Sequence, residues 1–90
     1  MAPKPSPDQA ATLALKALAL LTNCDQELHR FLDLTGTAPA SLRARADEPE
    51  FLASVLDFLL ANEALLMRFC DESSCQPRDV HMARHVLGGP

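Results

Sequence analysis

The stretch Pro49-Glu50-Phe51-Leu52-Ala53-Ser54-Val55-Leu56-Asp57-Phe58-Leu59-Leu60 decides the fold. Phe51, Leu52, Val55, Leu56 and Leu59 recur at the three- and four-residue spacing that lines one buried face of an α-helix. Asp47 with Glu50 three residues later reads as its cap, and Pro49 sits in the first turn, where a missing N–H costs nothing. Asn62 reads as the break or cap before a further helix with Leu66, Phe69 and Cys70 inward. Pro77 opens the last one, with Val80, Ala83 and Leu87 facing the core until Gly88-Gly89-Pro90.

The same signals repeat upstream. Residues 1–5 are punctuated by proline and read as a disordered lead. Ser6, Pro7 and Gln9 form a capping box before Ala10, Leu13, Ala14, Ala17, Leu18 and Leu21. Asn23 with Gln26 restarts a second helix whose inward residues are Leu28, Phe31 and Leu32, and Gly36 closes it in the left-handed conformation. Pro39 starts a short third helix with Leu42 inward and Arg43 and Arg45 outward. Composition agrees: among 90 residues, Leu occurs sixteen times and Ala fourteen, whereas Ile, Tyr and Trp are absent and Val occurs three times. Strand formers are too few for a sheet, so the expected fold is all-α, a compact bundle of about six short helices in one domain over residues 6–90. Short helices persist through tertiary packing rather than propensity.

A shift of 38 residues aligns the chain with itself without a gap. Leu18, Leu21 and Leu28 meet Leu56, Leu59 and Leu66; Arg30-Phe31 meets Arg68-Phe69; Asp33 meets Asp71; Pro39 meets Pro77. This pattern predicts two related three-helix units, about 10–46 and 48–87, each burying the other's apolar surface. Arg30 with Asp33, and Arg68 with Asp71, are spaced for surface ion pairs.

The residues Arg30-Phe31-Leu32, the Gly36 turn, Leu42-Arg43, Pro49-x-Phe51-Leu52 and the run Val55 to Leu60 give the chain a family likeness. It resembles the short alphaproteobacterial proteins grouped as domain of unknown function 3572, from about Ala10 to Leu87. The most specific piece is the Arg-Phe-Leu helix with its Gly turn and the following Leu-Arg. The resemblance implies a stand-alone cytoplasmic helical protein and carries over no catalytic residue.

Cys70-x4-Cys75-x5-His81-x3-His85 holds four candidate zinc ligands within sixteen residues, with both histidines on one helix face. Cys70 aligns with Leu32, however, which predicts a buried core thiol, and the link from Cys75 to His81 is short for tetrahedral closure. The helix, Gly36 turn and Pro39-started helix bearing Arg43 and Arg45 have the order of a helix-turn-helix, and Arg78, His81, Arg84 and His85 stand on the equivalent second element. Charge opposes that reading, because the net charge is −4, with residues 47–90 carrying −5, and phosphate binding needs a basic footprint. No Gly-rich phosphate loop and no nucleophile with a neighbouring base is present, so an enzyme is not expected. No cofactor is implied.

What remains is a protein-interaction module, with the helix-turn-helix binder and a small zinc-stabilised module as alternatives. Leu15, Leu20, Leu34, Phe58, Leu60, Leu65, Met82 and Val86 exceed one apolar face per helix, and they either widen the interior or form a contact surface. Leu34 and Leu65 are the foremost contact candidates, because their counterparts across the 38-residue shift are Glu72 and Glu27; Arg43 and Arg45 are further ones. The expected partner is another protein, not nucleic acid or a membrane, and the chain itself a monomer or weak homodimer. An odd set of cysteines, Cys24, Cys70 and Cys75, suits a reducing cytoplasm better than a disulfide framework. Leu21-Thr22-Asn23-Cys24 has a faint likeness to a lipoprotein cleavage box, but Lys16 interrupts the apolar run before it. Asp57, Asn62 and Glu63 interrupt the longest candidate membrane span.

Overall fold

Ser6 starts the first helix by the mechanism its sequence announces. In the computed structural model, which describes residues 5–88, the Gln9 N–H donates to the Ser6 hydroxyl over 3.1 Å and the Ser6 N–H donates to Gln9 Oε1 over 2.9 Å. Of the lead expected over residues 1–5, residues 1–4 lie outside the described residues, as does the chain end at Gly89-Pro90. Among the described residues six α-helices follow in order: α1 (Pro7–Thr22), α2 (Asp25–Thr35), α3 (Leu42–Arg45) after a 3-10 turn at Pro39–Ser41, α4 (Pro49–Ala61), α5 (Glu63–Ser73) and α6 (Pro77–Gly88). No strand occurs among the described residues. Because two orphan donors depend on the box, Ser6→Ala is expected to lower stability by about 1 kcal/mol in urea unfolding.

α1, α4 and α6 pack on one another as the central layer. α2 lies against α1 and α4, and α5 against α4, α1 and α6. Four phenylalanines supply the aromatic content, and Phe31 on α2 meets both Phe51 and Phe58 on α4 edge to face, with ring centroids 5.6 and 5.5 Å apart. Ala10, Ala14 and Ala17 on α1 and Ala83 on α6 are fully enclosed, so small side chains set the approach of the central helices.

The 38-residue offset recurs in the backbone at the two helix corners. Cys24 between α1 and α2 has φ −124°, ψ 85°, and Asn62 between α4 and α5 has φ −123°, ψ 95°. Gly36 ends α2 at φ 66° and Ser74 ends α5 at φ 55°, both left-handed. The Thr37 N–H donates to the Leu32 carbonyl over 3.0 Å, and the Cys75 N–H to the Cys70 carbonyl over 3.1 Å. The correspondence stops at the third element: α3 has four residues and buries none, whereas α6 has twelve and packs on both α1 and α4. Ser74 holds a backbone conformation that costs an L side chain about 1–2 kcal/mol. Ser74→Gly is therefore expected to raise the urea midpoint, and Gly36→Ala to lower it.

Several local expectations are corrected. Asn23 does not cap α2; it closes α1, its side-chain N–H donating to the Ala19 carbonyl, and Cys24 occupies the cap position without a side-chain bond. Glu48 rather than Asp47 precedes α4. Arg30 lies 4.0 Å from Glu27 and Arg68 bonds Glu72 at 2.9 Å, in place of pairs with Asp33 and Asp71. Asn62 caps α5 as read, its Oδ1 accepting from the Leu65 N–H over 3.2 Å.

Candidate interaction surface

α2 and α4 cross with a groove between them. On α4, Ser54, Asp57, Phe58 and Ala61 fall at helical spacing along one side; on α2, Phe31, Leu34 and Thr35 face them. The depression holds about 260 Å³, the size of one or two apolar side chains, and the Phe31 and Phe58 rings form its floor. Leu34 stands on its rim with 72% of its surface exposed, the most exposed large apolar residue among those described. Asp57 is fixed at the other rim by Arg84 of α6, whose Nε and Nη2 donate to the two carboxylate oxygens over 2.7 and 3.2 Å. That pairing holds the Arg84 guanidinium more firmly protonated than usual. The α2 end beneath Leu34 is tied down, because the Thr35 hydroxyl donates to the Phe31 carbonyl over 3.0 Å.

Leu65, the companion candidate, is only 5% exposed and belongs to the core. Its place is set by Asn62, whose side-chain N–H donates to Glu27 Oε2 over 2.9 Å and draws the start of α5 against the start of α2. Leu65 then closes the interface beside Cys24 and Glu27. Leu20 and Phe58 are also buried, and Leu60, Met82 and Val86 half-buried; Leu15 is exposed on α1.

Arg43 is exposed on α3, as expected, but Arg45 does not project outward. Its Nη1 donates to the Thr37 hydroxyl over 2.7 Å, its guanidinium lies 4.9 Å from the Phe51 ring centre, and Glu48 is 3.5 Å away. Arg45 thus fastens the Pro39 segment to α4 through a cation–π contact and a buried hydroxyl. The Arg45-x2-Glu48 spacing is the sequence signal that reading missed. α3 is a single turn from which Arg43 projects, and on α6 Arg84 is engaged by Asp57 while Arg78, His81 and His85 are exposed. The zinc reading loses its cluster: Cys70 is buried, His81 and His85 are exposed on α6, and no three His, Cys, Asp or Glu side chains converge among the described residues.

The three thiols are free. Cys24 accepts a long contact of 3.5 Å from Arg68 Nη1, and the Cys75 thiol is pushed up to about 11, first by burial and then by the Cys70 thiol and Asp79, with Lys16 opposing. Among the described residues no helix is long and apolar enough to cross a membrane. No curated protein and no solved structure matches the chain. A family model covering residues 7–90, described as "Protein of unknown function (DUF3572)", does match, and the chain belongs to that family.

Proposed function

We propose that the chain is a non-enzymatic, cytoplasmic protein-interaction module that receives an apolar side chain from a partner helix in the groove between α2 and α4. The observation that carries this reading is Leu34, an apolar residue 72% exposed beside the apolar Phe31 and Phe58 floor. Burying such a side chain against a partner stabilises association by about 1.5–3 kcal/mol, whereas leaving it wet gives the free protein nothing. The contrast with the second corner supports a role. There the residue at the same offset, Glu72, makes an ordinary exposed ion pair with Arg68. The net charge of −4 favours a partner helix whose flanks are basic over one whose flanks are acidic.

Photocrosslinking tests this. A benzophenone amino acid at position 34, in cells that natively express the protein, is expected to yield a discrete protein adduct, while the same group at exposed Ala19 on α1 gives none. Equal adducts at both positions, or none at 34, would overturn the reading. An adduct the size of two copies would replace the separate partner by self-association. Leu34→Glu is expected to abolish the adduct formed from neighbouring position 33 and to change folding stability by less than about 0.5 kcal/mol.

A further inference from the structure

The end of α5 carries a second feature, independent of the groove. Ser74 is left-handed and the Cys75 N–H reaches back to the Cys70 carbonyl over 3.1 Å. That six-to-one bond marks the Schellman motif, whose two end residues bring their side chains together. Here both end residues are cysteines. A backbone bond of this length draws the two residues together across the five-residue span, which is what a disulfide between them requires. Burial, and after it the Cys70 thiol, hold the Cys75 thiol protonated more firmly than usual. The two thiols differ in access. Cys70 is buried, while Cys75 borders a groove of about 400 Å³ between α1 and α6, flanked by Leu13, Asp79 and Met82. A small molecule therefore reaches Cys75 from solvent and has Cys70 directly behind it.

We infer that Cys70 and Cys75 form a redox-active dithiol, which low-molecular-weight disulfides oxidise to an internal disulfide across the end of α5. Cys75, as its thiolate, attacks one sulfur of R–S–S–R. A Cys75–S–S–R bond forms, the oxidant's S–S bond breaks, and one R–S⁻ leaves and takes up a proton. Cys70, deprotonated in turn, attacks Cys75 Sγ and expels the second R–S⁻, which is protonated likewise. The protein has then lost two electrons and two protons, and two R–SH have formed. The new bond fixes the α5–α6 corner and withdraws the Cys75 thiol from the groove.

The groups around Cys75 set the pace. Burial, the Cys70 thiol and Asp79 on α6 keep it protonated up to about pH 11, and Lys16 on α1 opposes them only in part. The first attack is accordingly slow near neutrality and quickens about tenfold for each pH unit above it. The pair is a slow recorder of oxidising conditions.

Reduced full-length protein is treated with glutathione disulfide at pH 8, quenched with acid, alkylated with a maleimide and weighed intact. The expected product lacks two hydrogens and carries no glutathione, and the three maleimide labels fall to one, on Cys24. The reaction is expected to run about tenfold faster at pH 9 than at pH 8. Cys70→Ser is expected to stop at a glutathione adduct on Cys75, which reports the first step alone. Ring closure is expected to be at least about tenfold more favourable in native protein than in urea, because the folded turn holds the sulfurs together. Three labels remaining, a lasting glutathione adduct in the unsubstituted chain, or equal closure in urea would each overturn the inference.

Discussion

Phe31→Ala is expected to remove most of the folding free energy. Phe31 is 1% exposed and is the ring that joins α2 to the central layer, meeting Phe51 and Phe58 edge to face. Truncating a buried phenylalanine costs about 3–5 kcal/mol through lost transfer energy and the cavity left behind. The two aromatic contacts add about 0.5–1.5 kcal/mol each beyond area burial. A small domain has little beyond that to lose, since total stabilities run from about 5 kcal/mol upward. Far-ultraviolet circular dichroism in a urea titration should show a strongly lowered midpoint or a chain unfolded without denaturant. Phe31→Leu keeps most of the volume and is expected to lose less than half as much. A Phe31→Ala protein as stable as the parent would mean that α2 is not anchored as described.

Ala14→Leu is the second large effect, with the opposite geometry. Ala10, Ala14 and Ala17 recur along one face of α1, all wholly enclosed, and α1 makes its main contacts with α6 and α4. A side chain three carbons longer at Ala14 has no space to enter. Inserting methylenes into a packed interior costs about 1–3 kcal/mol. In a domain of this length each kcal/mol lowers the melting temperature by about 4–8 °C. Ala19→Leu, on the exposed side of the same helix, is the matched control, expected to stay within about 0.5 kcal/mol of the parent. Equal effects at 14 and 19 would contradict the packing of α1.

Features that depend on near neighbours in the chain were legible. The Ser6–Gln9 box, the left-handed Gly36 and the prolines opening helices at 39, 49 and 77 act within one turn, and the structure places each where its residue type requires. The inward face of α4 was equally readable, because helical spacing alone selects it. Features that depend on which surfaces meet were not. Arg45 reads as a surface cation, yet Phe51 and Thr37 are brought to it only by the turn at residues 36–41. No residue within α3 signals a stop; Pro49 beyond it does, holding Glu48 in extended backbone at φ −84°, ψ 119°.

The candidate surface shows the same division. Comparing Leu34 with Glu72 identified an exposed leucine correctly, since Glu72 is itself a solvated ion-pair partner. Comparing Leu65 with Glu27 misled, because Glu27 is half-buried and bonded to Asn62, so a charged counterpart there marks an interface rather than open solvent. For that reason Leu65→Glu would damage the fold, and only Leu34→Glu reports on binding.

The most direct measurement is the affinity of the partner captured through position 34 for three proteins: the parent, Leu34→Glu and Met67→Glu. Met67 is also an exposed apolar residue, 54% accessible, but it stands on α5 and does not line the groove. Titration calorimetry is expected to show binding at least about tenfold weaker for Leu34→Glu, a loss of about 1.4 kcal/mol or more, with Met67→Glu within about twofold of the parent. Unchanged affinity in Leu34→Glu, or an equal loss in both variants, would contradict the assignment of the α2–α4 groove as the contact surface.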